Sequence, residues 1–158
     1  MKSMMTHSST KLREGTRVAS LFALLAMCCS LANAADIGQV KVVRGQVEVE
    51  RNGQTVPAKV GMRLQTADVV RTGADGSVGI TMADNSLLSA GGNSILSLDR
   101  FDYDPTTNQG RFDTQLQKGS LSVISGRMAK QSPDAMTVRT PSAILGVSGT
   151  EFVLSAND

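Results

Sequence analysis

The chain has 158 residues and a formal net charge of +2, with 41% hydrophobic and only 3% aromatic residues. This length suits one domain of ordinary size. The single histidine, His7, and both cysteines, Cys28 and Cys29, lie among the first 34 residues. The rest of the chain therefore has no imidazole, thiol or disulfide, which excludes the commonest forms of nucleophilic catalysis.

The first 34 residues have the pattern of a secretory signal peptide. Four basic residues precede an apolar stretch from Val18 to Leu31, and Ala32 and Ala34 are the small residues of a cleavage site. We predict a signal peptide over residues 1–34, cleaved after Ala34, and a mature domain over residues 35–158. That domain would be periplasmic or secreted and would not span a membrane. An uncleaved anchor is the alternative, although the apolar stretch is short for one.

Removal of this segment changes the charge of the chain. The segment holds four of the 16 basic residues and one of the 14 acidic residues, so the mature domain would carry a net charge of −1. Proteins that bind nucleic acid through the phosphate backbone need an excess of positive charge. We therefore expect no nucleic-acid partner.

The mature chain has the pattern of many short strands. Val47 and Val49 alternate with acidic residues, as in a strand with one solvent-exposed face. Asn52 and Gly53 predict a hairpin turn after it. The strand that follows contains Pro57, which predicts an edge strand. Further short apolar runs follow, separated by Gly, Asn and Asp, with a polar loop between Arg100 and Arg111. This pattern predicts an all-β fold, a compact, β-solenoid-like single domain of stacked short strands.

Two longer motifs stand out in this pattern. The phrase G-x-x-L-x-x-x-D-x-V-x-T-G runs from Gly61 to Gly73, and TPSAILGVSGTEF runs from Thr140 to Phe152. Proline and two glycines disfavour a helix in the second motif, so we predict three short extended runs there. The residue at the corner between the last two runs is Gly149, which should not tolerate a larger side chain.

Together these motifs resemble the FecR-type domain, named for a periplasmic regulator of iron-dicitrate transport. The residues that carry the resemblance are Asp68, Thr72, Gly73, Thr140, Pro141, Gly146, Gly149, Thr150 and Phe152. Ser148 departs from the pattern, because the family usually has arginine there. The resemblance implies an exported sensory or protein-interaction module. The founding member relays a receptor signal to a cytoplasmic sigma factor, and since the chain lacks its cytoplasmic helical domain, we expect a free-standing module.

The candidate catalytic and metal-binding residues have simpler interpretations. Oxygen ligands from Asp99 to Asn108 could bind calcium, but the pattern lacks the closing glutamate of an EF-hand and contains Pro105, so a solvated turn is favoured. A Ser–Lys dyad of Ser125 or Ser132 with Lys130 would need a desolvated lysine, whereas Lys130 lies in a polar loop. We predict no enzyme activity, no cofactor and no metal.

The sequence thus predicts an exported, non-enzymatic protein that binds a protein partner in the envelope, whose identity stays open. The alternative is a module that binds an envelope polymer such as peptidoglycan or another glycan. The predicted contact is the edge of the last strand, at Glu151, Phe152 and Val153, where a partner or a second copy could add a strand. An earlier strand, such as one within residues 42–49, could instead already pair with that edge.

Overall fold

The computed structural model describes residues 35–147 and 151–156. The predicted signal peptide, Ser148, Gly149 and Thr150 lie outside the described residues, so the predictions made for them stay predictions. The strands are β1 (Gly38–Arg44), β2 (Val47–Arg51), β3 (Gln54–Pro57), β4 (Arg63–Leu64), β5 (Val69–Thr72), β6 (Ser77–Met82), β7 (Leu87–Ala90), β8 (Ile95–Tyr103), β9 (Gly110–Ile124), β10 (Met136–Arg139), β11 (Ile144–Val147) and β12 (Glu151–Ala156). One short helix, α1 (Arg127–Gln131), and a 3-10 turn (Pro133–Ala135) lie between β9 and β10.

The predicted all-β single domain is confirmed, and its short strands form one curled, open sheet in the manner of a half-barrel. The sheet has two parts. The first half-sheet contains β1, β4, β6, β7, β12 and the second part of β9. The second half-sheet contains β2, β3, β5, β8, β10, β11 and the first part of β9. All strand pairs are antiparallel except β9 with β10.

Successive strands continue one another across the boundary between the two half-sheets. β1 pairs with β6 while β2, its continuation, pairs with β5. In the same way β6 pairs with β7 while β5 pairs with β8. The 15-residue strand β9 crosses the boundary without interruption, and it pairs with β8 through its first part and with β7 through its second. The central strands of the sheet therefore run through both half-sheets and bend along one line.

Glycines lie along this line because the backbones approach too closely for side chains. A Cβ at Gly45 would lie 2.3 Å from the carbonyl oxygen of Asp75, and one at Gly119 would lie 2.2 Å from Ser94 Oγ. Both glycines also have positive φ, +59° at Gly45 and +91° at Gly119, which L-residues rarely adopt. We call this line of corners the glycine seam.

The core lies on the inner face of the curled sheet. Along β6 the residues Val78, Ile80 and Met82 are buried and alternate with more exposed ones, the period of a strand with one face on a core. The aromatic contribution is small, since Phe101 and Phe112 meet edge to face with ring centroids 5.3 Å apart. Most of the core is aliphatic, which is consistent with the low aromatic content.

Two local predictions are confirmed and one is wrong. Asn52 and Gly53 have φ of +52° and +75° and form the β2–β3 hairpin turn. β3, which contains Pro57, lies at the end of the sheet path as an edge strand. The polar loop expected between Arg100 and Arg111 is much shorter, because β8 extends to Tyr103 and β9 begins at Gly110. Asp104, Pro105 and Asn108 lie in the turn, while cross-strand pairing holds residues 100–103 and 110–111 in the two strands.

Candidate interaction edge

The first motif ties the second half-sheet together through a buried carboxylate. Arg51 Nε and Nη2 donate hydrogen bonds to Asp68 Oδ1 and Oδ2 at 2.8 and 2.7 Å. The backbone N–H of Gln65 donates a third hydrogen bond to Asp68 Oδ2 at 2.8 Å. The hydrogen bond to Asp68 raises the pKa of Arg51, against the opposing effect of burial. Asp68 therefore has a structural role: it binds the end of β2 to the turn before β5.

Thr72 and Gly73, the last residues of this motif, lie on the glycine seam. Thr72 Oγ1 donates to the carbonyl of Gly91 at 2.6 Å and accepts from the N–H of Ser94 at 2.8 Å. The carbonyl of Gly73 accepts from the N–H groups of Gly76 and Asn93 at 3.0 and 2.9 Å. The motif thus connects two neighbouring corners of the sheet, a role that the sequence pattern alone did not reveal.

The second motif begins in the turn of the β10–β11 hairpin. Thr140 N–H donates to the carbonyl of Ala143 at 2.8 Å, and Thr140 Oγ1 accepts from the N–H of Ala143 at 3.1 Å. Pro141 is exposed within this turn. Gly146 lies in β11, and a Cβ added there would meet no atom within 4 Å. The threonine fixes the turn, while Gly146 has open space around it.

Both strands of this motif lie at edges of the sheet. Among the described residues β11 pairs only with β10, and β12 pairs only with β9. The alternative that an earlier strand pairs with β12 holds for one side of it, but that strand is β9 and not one within residues 42–49. Each edge carries an exposed apolar side chain, Ile144 on β11 (72% exposed) and Val153 on β12 (70% exposed).

The side chains of β12 alternate between the two faces of the first half-sheet. Phe152 and Leu154 are partly buried and pack against the core opposite Val123 and Leu121 of β9. Glu151 and Val153 are more exposed, and Glu151 is the only charged residue of the strand. Of the three residues predicted for the interaction edge, Phe152 thus faces the core and the other two face outward.

The outer faces of the two half-sheets differ in charge. On the first half-sheet, Ser89, Ser122 and Val153 stand side by side across three strands, next to the row of Leu87 and Ile124. These five side chains carry no charge. At the edge, the charged residue Glu151 stands opposite Ile124. A largely uncharged patch that continues to an open edge is a surface suited to a protein contact.

The second half-sheet carries ion pairs on its outer face. Arg71 binds Glu50 at 3.0 Å, and Arg111 binds Asp113 at 2.8 Å. The hydrogen bond from Arg111, opposed by burial and aided by the charges of Arg111 and Arg139, lowers the pKa of Asp113. Arg71 and Glu50 pair across β5 and β2, whereas Arg111 and Asp113 both lie on β9. The cross-strand pair stabilises the pairing of β2 with β5.

The acidic loop considered for calcium forms one wall of a groove of about 820 Å³. Asp104 accepts hydrogen bonds from Thr106 N–H at 2.8 Å and Thr107 Oγ1 at 3.0 Å, which lower its pKa. Tyr103 OH donates to Asn108 Oδ1 at 2.7 Å. Within residues 35–147 and 151–156, no group of three or more His, Cys, Asp or Glu side chains is placed to bind a metal. The loop therefore uses its polar groups to stabilise its own turn.

The fold and this edge define a small all-β module with open strands at its C-terminal motif. The family model described as FecR protein matches residues 68–158, more than half of the chain. The chain therefore belongs to the FecR family, as the two motifs predicted, and the family consists of regulatory and sensory domains in signalling. No curated protein and no solved structure matches the chain. In the described part of the chain, no helix is long and apolar enough to cross a membrane.

Proposed function

We propose that this protein is an exported, non-enzymatic regulatory module that binds a protein partner in the cell envelope through the open edges of its C-terminal motif. The observation that carries the proposal is the pair of edge strands β11 and β12, each with an exposed aliphatic side chain and an unpaired side among the described residues. Unpaired strand edges are templates for strand addition, in which backbone hydrogen bonds give affinity and side chains give specificity.

The distribution of polar groups supports a binding role over a catalytic one. The buried carboxylate of Asp68 is bound by Arg51 and Gln65. Lys130, the base of the Ser–Lys dyad considered above, is exposed on α1, whereas such a dyad needs a desolvated lysine. The carboxylate of Asp68 thus has a structural role.

Export is proposed from the first 34 residues, and it is tested by fractionation of expressing cells. We expect the protein in the periplasmic or secreted fraction. Its intact mass should be that of a chain whose first residue is Ala35. A cytoplasmic protein that retains Cys28 and Cys29 would contradict the proposal. A membrane-bound protein of full length would support the uncleaved anchor instead.

Partner binding is tested by capture from an envelope extract, with purified peptidoglycan run in parallel. Ile144→Lys and Val153→Lys place a charge on each edge, and Val60→Lys is a matched control because Val60 is similarly exposed (66%) in a turn. We expect the wild type and the control to retain the same protein, and at least one edge variant to lose it. Equal capture by all four proteins would refute the edges as the binding element. Retention of peptidoglycan alone would favour the polymer-binding alternative.

A further inference from the structure

We propose that the open edge of β12 binds the same edge of a second copy of this chain, in an antiparallel pair centred on Val153. The inference deepens the proposed function, on which it rests in taking this edge as a protein-binding element, and it assigns the edge to self-association. β11, with exposed Ile144, then stays available for a different partner.

β12 is the least protected edge of the sheet. Proteins commonly blunt edges with proline, charge or short length. β3 ends in Pro57, β4 has only two residues and β11 has four. β12 has six residues, contains no proline and carries one charge, at its first residue. Of the described elements, only β9 packs extensively against it.

The sequence of β12 is complementary to itself in antiparallel orientation. With Val153 opposite Val153 of the second copy, Glu151 stands opposite Ser155, and Phe152 stands opposite Leu154. No like charges meet, and the serine hydroxyl can donate to the facing carboxylate. A register centred on Phe152 would instead place the Glu151 carboxylate opposite Val153. Of these two registers, only the one centred on Val153 places a hydrogen-bond donor opposite the Glu151 carboxylate.

The pairing also completes the apolar contacts on both faces of the strand. On the outer face, two valines that are 70% exposed in the single chain would cover each other. On the inner face, Phe152 and Leu154 are only partly buried at the rim of the core, and each would gain an apolar neighbour. Such an interface is isologous, so each contact except the central one occurs twice and the association closes at two copies.

The interface is small, because it consists of one six-residue strand from each copy. Stable protein interfaces bury about 1,200–2,000 Å² in total. We therefore expect a weak dimer whose population depends on concentration. Sedimentation velocity over a range of concentrations measures this dimerisation.

Charge substitutions at the centre of the pair test the register. In Val153→Lys or Val153→Glu, two like charges meet across the two-fold axis, so we expect the dissociation constant of the dimer to rise at least about tenfold. An equimolar mixture of the two variants brings opposite charges together and should dimerise about as tightly as the wild type or more tightly. Only a contact of Val153 with itself predicts this recovery.

Ile144→Lys is the matched control, since Ile144 is as exposed as Val153 but lies on the other edge strand. We expect it to leave dimerisation unchanged. Hydrogen exchange of the wild type gives a measurement that needs no variant: the amides of β12 should exchange more slowly above the dissociation constant than below it.

A wild type that stays monomeric at all accessible concentrations would overturn the inference. So would a dimer that Val153→Lys leaves intact, a mixture of charged variants that stays monomeric, or exchange of β12 that is independent of concentration. If the protein is monomeric but still captures an envelope protein, the proposed function is supported and the dimer is refuted. If it dimerises but captures no envelope protein, the dimer is supported and the proposed function is refuted.

Discussion

Arg51 binds both carboxylate oxygens of Asp68, a residue whose side chain is 1% exposed. Arg51 is the last residue of β2, and Asp68 lies in the turn immediately before β5. A bidentate guanidinium–carboxylate contact fixes both the distance and the orientation of the two side chains. Asp68 is thereby the structural centre of the first family motif.

Replacement of Arg51 by methionine should therefore destabilise the protein markedly. The substitution leaves a buried carboxylate with only the Gln65 N–H as partner, and such a loss costs about 3–5 kcal/mol for fully buried pairs. Because the Arg51 side chain is 33% exposed, we expect a smaller cost, about 2–3 kcal/mol. Urea denaturation measures it.

The exposed pair of Arg71 and Glu50 is the matched control for this prediction. It joins β5 to β2 at 3.0 Å, and its two side chains are 43% and 35% exposed. Arg71→Met should cost less than about 1 kcal/mol. Equal costs for the two variants would mean that burial of Asp68 does not decide the energetics.

Thr72 supplies a second test of the motif, at the glycine seam. Thr72→Val keeps the shape of the side chain but leaves the N–H of Ser94 without the hydroxyl that accepts from it. We expect a loss of about 2 kcal/mol in the free energy of unfolding, the cost of an unsatisfied buried donor. Thr72→Ser retains both hydrogen bonds and should cost about 1 kcal/mol or less, the value of a methyl group. The prediction fails if serine costs as much as valine.

The sequence predicted the strand content well because alternation and turn residues act locally. Asn52 and Gly53 tolerate positive φ in any surroundings, so the Asn-Gly dipeptide alone was enough to predict this hairpin turn. The end of β8 at Tyr103 could not, because that strand is held by β9, whose first residue follows the loop. Register between distant segments depends on packing that no local pattern encodes.

The candidate site was predicted in part. Of the edge predicted at Glu151, Phe152 and Val153, Phe152 faces the core. The partner strand β9 was not predicted, since a pairing between residues 119–124 and 151–156 has no local signal. The role of Thr72 was equally hidden. Its hydroxyl joins Gly91 and Ser94, about twenty positions further along the chain, so the contact exists only once the sheet has bent.

Stability should depend on pH through Asp113. The hydrogen bond from Arg111 lowers the folded pKa of this carboxyl below the value of about 3.9 for an unfolded aspartate. The unfolded chain then binds the proton more tightly, so the stabilisation is fully present above about pH 4 and is lost as pH falls through the lower folded pKa. Thermal unfolding between about pH 2 and pH 6 measures the loss.

Two variants identify the source of this pH dependence. Asp113→Asn removes the titrating group and Arg111→Gln removes the main cause of its lowered pKa, so both should flatten the profile at acid pH. Profiles parallel to that of the wild type would show that other carboxyls dominate acid unfolding.

Gly119, Gly53 and Gly146 differ in backbone conformation and in the space around them. Of the three, Gly119 should be the least tolerant of substitution. Gly119→Ala combines a positive φ with a Cβ 2.2 Å from Ser94 Oγ and 2.5 Å from Ser94 Cα, so the sheet must open at the seam. We expect a cost of at least about 2–3 kcal/mol. Gly53 has positive φ but no atom within 4 Å, so Gly53→Ala should cost only the backbone strain, about 1–2 kcal/mol.

Gly146 completes the series, because it belongs to the second family motif yet has neither constraint in this chain. Among the described residues, nothing lies within 4 Å of a Cβ built there, and its strand is an exposed edge. Gly146→Ala should change the free energy of unfolding by no more than about 0.5 kcal/mol, as measured by the same denaturation series. If it destabilised the fold as much as Gly119→Ala, the space around β11 would have to be occupied, by a partner or by a neighbouring copy. An unchanged stability together with weaker partner capture would place Gly146 at the contact itself.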